Sequence, residues 1–168
     1  VNDMANTPEV PQLAIRLGTV EDIHPLMELA RLAVEDNGLT SPDMIKMCTT
    51  LYGCLARQNG MVAIIGEPGK IPEAAIALQV SEPWYSREKT ITELAIFVHP
   101  DFRSAKGGRA ARLCEFAKKV QEELALPMVI GVLSTTRTEA KKRLYERSFG
   151  PPAGHYWILG AKTGQWGQ

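Results

Sequence analysis

The chain has 168 residues, 45% apolar and 23% charged, the ordinary balance of a globular domain with a substantial core. Nineteen basic and nineteen acidic side chains cancel, so no global field draws the protein to nucleic acid or to a membrane surface. No apolar run approaches spanning length, no charged-then-apolar leader opens the chain, and the three cysteines are odd in number and lack zinc spacing. Cytoplasm is the expected compartment, and no metal is expected.

Residues 1–12 are polar and hold Pro8 and Pro11, which reads as a flexible lead-in. One domain is expected over 13–160, with a glycine-bearing flexible tail over 161–168. Leu13 to Leu17 reads as a first strand, ended by Gly18. Thr19 with Asp22 three residues on is an N-cap signal for a helix through about Glu35, with Ile23, Leu26, Met27, Ala30 and Val34 as its buried stripe. Ser41-Pro42 is a second start signal, a cap followed by proline at the first helical position. That helix, through about Gln58, is expected to bury Ile45, Cys48, Leu51, Tyr52 and Leu55. Met61 to Ile65 and Ala74 to Val80 read as strands about a Glu67-Pro68-Gly69-Lys70 turn, in antiparallel succession with the strand that follows.

That next strand ends in the apolar run Leu94 to Val98, read as buried and central. Pro100, without an amide hydrogen, stops it. The loop after it carries four cations between residues 103 and 112 (Arg103, Lys106, Arg109, Arg112) and no acid. A helical pattern follows, with Ala110, Leu113, Ala117, Val120 and Leu124 on one stripe. The first amides of a helix lack intrahelical partners and carry partial positive charge, and Gly107 and Gly108 permit close approach to the backbone. Cations at a helix start oppose the dipole, so this unit points to a phosphate-bearing ligand more than to a solvated helix end. Met128 to Leu133 reads as a strand parallel to its predecessor across the helical crossover. Thr138 opens a further helix with Ala140, Leu144 and Tyr145, and His155 to Leu159 reads as a last strand.

Strand, Val98-x-Pro100, Arg103-x-x-Lys106-x-Gly108 and amphipathic helix in register resemble the central motif of the GNAT superfamily of N-acetyltransferases, Q/R-x-x-G-x-G/A after V-x-P. Lys106 stands at the motif's first glycine, with Gly107 beside it. Leu144-Tyr145 resembles the second motif, N-x-x-A-x-x-L-Y-x-x-x-G-F, with Thr138 for Asn, Lys141 for Ala and Phe149-Gly150 reversed. The resemblance extends from Leu13 to Leu159. It implies an α/β (α+β) fold with a mixed, mostly antiparallel sheet flanked by helices, in the order β-α-α-β-β-β-α-β-α-β.

The resemblance also implies acetyl-CoA as cosubstrate and a primary amine as acceptor. Backbone groups at Phe97 and Val98 would hold the pantetheine arm, between strands that splay apart. Amides of Arg103, Ser104, Ala105, Lys106, Gly107, Gly108 and Arg109 would hold the pyrophosphate. Tyr145 would protonate or hydrogen-bond the departing thiolate, the alternative being a packing tyrosine. Glu93 would deprotonate the amine, the alternative being an exposed strand-end carboxylate. Trp84 and Tyr85, with Glu35 at the end of the first helix, occupy positions that shape the acceptor pocket in this fold, through cation–π contact and ion pairing. The acceptor stays open among a small amine, an antibiotic, a protein terminus, a lysine and a modified nucleobase. A homodimer is compatible; membrane and nucleic acid are not expected partners. Two other readings stand beside the enzyme: an acyl-CoA-binding regulatory module on the same fold, and a domain whose basic loop contacts phosphates.

Overall fold

A computed structural model of the chain describes residues 14–103, 108–134 and 137–162. Five strands form one sheet in sequential order: β1 (Ile15–Leu17), β2 (Gly60–Ile65), β3 (Ala74–Ser81), β4 (Thr90–Val98) and β5 (Met128–Val129). The first four pair antiparallel and β5 lies parallel to β4, as a helical crossover requires. The helices are α1 (Ile23–Asn37), α2 (Met44–Leu55), α3 (Arg109–Leu124) and α4 (Thr138–Phe149). No helix among the described residues is long and apolar enough to cross a membrane.

The sheet is covered on both faces, and its alternation sorts the core. Val62 and Ile64 of β2 and Ala75 and Ala77 of β3 face Leu26 and Leu29 of α1 and Cys54 and Leu55 of α2. Ala63, Ile65, Ala74, Ile76 and Leu78 face Leu113, Ala117 and Val120 of α3. Val62 to Ile65 of β2 are thus apolar without a break and fully buried, the pattern of a strand covered on both sides. The strand opens at Gly60, where a Cβ would come within 2.2 Å of the Leu78 carbonyl oxygen; only glycine fits. A bidentate pair, Arg16 to Asp22 at 2.8 Å on both oxygens, ties β1 to the 3₁₀ turn Val20–Asp22 that leads into α1. Arg16 holds the buried Asp22 carboxyl below its ordinary range.

Several local expectations are corrected. The cap of α2 is Asp43, which accepts from the Lys46 amide at 2.9 Å, and not Ser41; a carboxylate at that position satisfies an orphan donor directly. Ile45 and Tyr52 are exposed on α2; its fully buried residues are Gly53 to Leu55 in the last turn, with Leu51 packed against the same core. On α1 the buried pair is Leu26 and Leu29. Leu94 is exposed within the strand read as wholly buried. Strand β5 stops at Val129 and does not reach Leu133. Residues His155 to Leu159 form no strand, and Tyr156, Trp157 and Leu159 are exposed. Strand propensity is realised only against a partner edge, and these residues pair with none in the sheet.

Candidate functional site

The site begins with an irregularity in β4. Ala77 of β3 pairs with Ala95 of β4, but Leu78 pairs with Glu93, so Leu94 is an extra residue with no partner on β3. Such a bulge bends the strand and shifts its alternation by one. Ile91 accordingly packs towards α3, and so do Ile96 and Val98, five and seven residues on. Phe97 turns to the α1 face.

On the other edge of β4 the ladder with β5 holds only at Ile91↔Met128 and Thr92↔Val129. Beyond these two pairs the Gly131 amide donates to the Glu93 carboxylate, at 3.2 Å, in place of a ladder partner. The strands part there, as the family resemblance implies, and two cavities open along the gap. One, of about 330 Å³, is lined by Ile96 to Val98, Phe102, Arg103, the start of α3 from Gly108 to Ala111, and Arg137, Lys141, Tyr145 and Arg147 of the α4 region. The other, of about 460 Å³, is lined by Thr92 to Phe97, the end of α1, Val129, Gly131 to Leu133, and Tyr156 to Ile158. They share Ile96, Phe97, Lys141 and Tyr145.

Glu93 lies on the second cavity. Burial pushes its carboxyl up to about 7, against the opposing pull of the Gly131 and Ile96 amides and of Lys141. A carboxyl poised near neutrality in a cleft is suited to take and return a proton. Tyr145 stands on α4 with its ring edge-on to Phe149 at 5.5 Å. Burial, and then the Glu93 charge, raise its hydroxyl above the ordinary tyrosine value, so it stays a protonated donor. Lys141, one turn earlier, donates to Ser134 Oγ at 2.9 Å; burial, then Arg103, lowers it, while Asp36 and Glu93 oppose that shift. Cys114 is fully buried on α3 and its thiol is pushed up to about 11 by desolvation. A thiol so placed is inert as a nucleophile at neutral pH.

The first cavity carries five cations (Arg103, Arg109, Arg137, Lys141, Arg147) against one carboxylate, Asp36. Gly108 caps α3 with a φ of 59°, a backbone that favours glycine, and among the described residues a Cβ there would meet only Ala111, at 3.8 Å. Two of the expected phosphate-loop residues have further duties. Arg103 pairs with Asp36 at 2.5 Å, donates to the Val98 carbonyl and lies over the Phe97 ring. Arg109 is buried, pairs with Glu73 at 2.7 Å and stacks over Phe102. These contacts fix the loop's two ends to α1 and to the start of β3. Ser104, Ala105, Lys106 and Gly107 lie outside the described residues.

Glu93, Phe97, Val98, Arg103, Gly108, Arg109 and Tyr145 are thus brought to one cleft. Trp84 and Tyr85 are not: they stack on each other in the β3–β4 loop, 97% and 72% exposed, and line neither cavity. Glu35 is exposed and paired with Arg31; its neighbours Asp36 and Asn37 line the cavities instead. Besides Phe97 and Tyr145, the second cavity is lined by the aromatics Tyr156 and Trp157, which strand propensity had assigned to the sheet. Lys141 was also missed as a site residue. Its signal was available, since it stands where the second motif has alanine.

No family model matches the chain, and no curated protein matches it in sequence. Solved structures do match in shape. A ribosomal-protein-alanine N-acetyltransferase from Brucella melitensis biovar Abortus 2308 superposes with TM-score 0.61 at 18% identity, over 87% of this chain and 96% of that one. A GCN5-related N-acetyltransferase from Ralstonia eutropha JMP134 gives 0.60 at 19%, over 87% and 97%. An aminoglycoside antibiotic 6'-N-acetyltransferase from Acinetobacter haemolyticus gives 0.60 at 13%, over 89% and 98%. Identities this low carry the fold and leave the substrate open. With its five-stranded, mostly antiparallel sheet parted between β4 and β5, the chain has the fold of the GCN5-related N-acetyltransferases.

Proposed function

We propose that this protein transfers an acetyl group from acetyl-CoA to a primary amine by direct attack. The observation that carries the reading is the meeting of two cavities at Ile96, Phe97, Lys141 and Tyr145. One is cationic and begins at a glycine-capped helix start; the other holds a carboxyl poised near neutrality. The first suits the phosphates and pantetheine of acetyl-CoA, with backbone at Phe97 and Val98 along the arm and the segment from Arg103 to Arg109 at the pyrophosphate. Acetyl-CoA would supply the acetyl group as a thioester, already activated towards amines.

Glu93 takes the proton from the attacking amine. A base near 7 is about half ionised at neutral pH and still basic enough to work. Tyr145 faces the sulfur from α4. A thiol ordinarily titrates at about 8.5, well below a tyrosine whose hydroxyl burial has raised. Full proton transfer from Tyr145 to the thiolate is therefore uphill, and its role is to donate a hydrogen bond to the developing charge. The inert Cys114 supports direct attack over a covalent acyl-enzyme.

The test has two stages. Acetyl-CoA and CoA, but not ATP at equal concentration, should raise the melting temperature. Thiol release from acetyl-CoA should then depend on an added amine and on Glu93. Binding without turnover on any amine would leave a regulatory acyl-CoA-binding module, and no binding would end the reading.

A further inference from the structure

The acetyl-transfer reading leaves the acceptor open; the wall of the second cavity narrows it. Among the described residues that line it, Glu93 is the one carboxylate and Lys141 the one cation. The rest is apolar, aromatic or neutral. Five large apolar side chains on this wall are exposed: Leu94 at 39%, Val129 at 52%, Leu133 at 43%, Tyr156 at 74% and Trp157 at 80%. Contiguous exposed apolar surface around a concave site marks a place where something apolar is buried. The Tyr156 ring sits beside Gly131, 3.8 Å from where a Cβ would stand. The residue whose amide holds Glu93 thus also lies beside the aromatic wall.

We infer that the acceptor is a monoamine with an apolar, preferably aromatic, body, its amine directed to Glu93 and its body against Tyr156, Trp157, Leu133 and Val129. The inference rests on the acetyl-transfer reading and adds the substrate class. The charge pattern disfavours polycations. An aminoglycoside or polyamine carries several ammonium groups, and each one beyond the first would enter an apolar cleft with no carboxylate to meet it and with Lys141 to repel it. The volume of about 460 Å³ is that of a small-molecule site. An aromatic amine also gains from stacking on Tyr156 and Trp157.

The experiment compares 2-phenylethylamine, spermidine, kanamycin and a short peptide with N-terminal alanine as acceptors, by thiol release at saturating acetyl-CoA. Alongside it, calorimetry measures the direct binding of 2-phenylethylamine to the full chain. The expected result is a kcat/KM for 2-phenylethylamine at least about tenfold above the others. In Trp157→Ala its KM should rise about tenfold, equivalent to roughly 1.4 kcal/mol, with kcat little changed. Trp157 is largely exposed, so the variant is expected to fold, and an unchanged acetyl-CoA thermal shift checks this. A preference for spermidine, kanamycin or the peptide, with the acetyl-CoA shift intact, would overturn the substrate class and leave the transferase reading standing. Absence of the acetyl-CoA shift would overturn the transferase reading. Calorimetry then decides for the cleft: 2-phenylethylamine binding that Trp157→Ala weakens keeps it as an aryl-amine site, and no binding removes it. A tight dimer that Trp157→Ala dissociates, with no amine binding, would assign the apolar wall to subunit contact and overturn the inference.

Discussion

Replacing Glu93 by glutamine separates the cost of this carboxylate from its use. In the folded chain it titrates at about 7 in place of 4.5. At roughly 1.4 kcal/mol for each tenfold change in proton affinity, its ionised form disfavours folding by up to about 3 kcal/mol. The folded carboxyl binds its proton more tightly than the unfolded one. Stability is therefore full below about 4.5, falls as pH rises through 7, and is level above. Lys141, Tyr145 and Cys114 are the titratable groups that feel its charge; the Tyr145 hydroxyl and the Cys114 thiol, both raised, keep their protons over this range. Glutamine preserves the acceptor for the Gly131 amide without the charge. At pH 8 Glu93→Gln should therefore melt higher than the parent by up to about 6–12 °C, at 2–4 °C per kcal/mol for a domain of this size. At pH 5 the gap should shrink to little. Acetylation at neutral pH should fall about 100-fold or more and recover in part at high pH, where more of the amine is free. Parallel melting curves from pH 5 to 9, scanned by calorimetry, would place the carboxylate in water and remove the basis for its role as a base.

Tyr145→Phe keeps the ring contact with Phe149; turnover at saturating acetyl-CoA should drop about 10- to 100-fold with the acetyl-CoA thermal shift kept, and parent-like turnover would make Tyr145 a packing residue. Gly108→Asp should abolish the acetyl-CoA thermal shift, whereas Gly108→Asn, uncharged and tolerant of the same backbone, should retain much of it; equal behaviour of the two would tell against phosphate at this helix start. Arg109→Met breaks the pair with Glu73 and should destabilise the chain by about 2 kcal/mol in denaturant titration, while Glu73→Gln/Arg109→Met together should restore part of the loss.

The order of elements from β1 to α4 was legible in the sequence, because it is written in local terms: apolar alternation, helical stripes, turn residues and proline stops. Leu144-Tyr145 was legible through its resemblance to the family's second motif, and the arginine–glycine loop through its cations, its glycines and the resemblance to the central motif. What the sequence could not state was anything that depends on two distant segments meeting. Arg103 finds Asp36 and Arg109 finds Glu73, so cations that read as a bare phosphate cluster also anchor their own loop. The bulge at Leu94 exists only as a mismatch between β3 and β4, and it sets which side chains face which helix. Ile45 matched a buried stripe, yet the fully buried residues of α2 lie at its far end. Residues His155 to Leu159 have strand-forming side chains, but a strand needs an edge to pair with. Their aromatics instead line the second cavity. The proton affinity of Glu93 belongs to the tertiary structure most completely: the carboxyl comes from the sequence, and the burial that lifts it to about 7 comes from the parting of β4 and β5 around it.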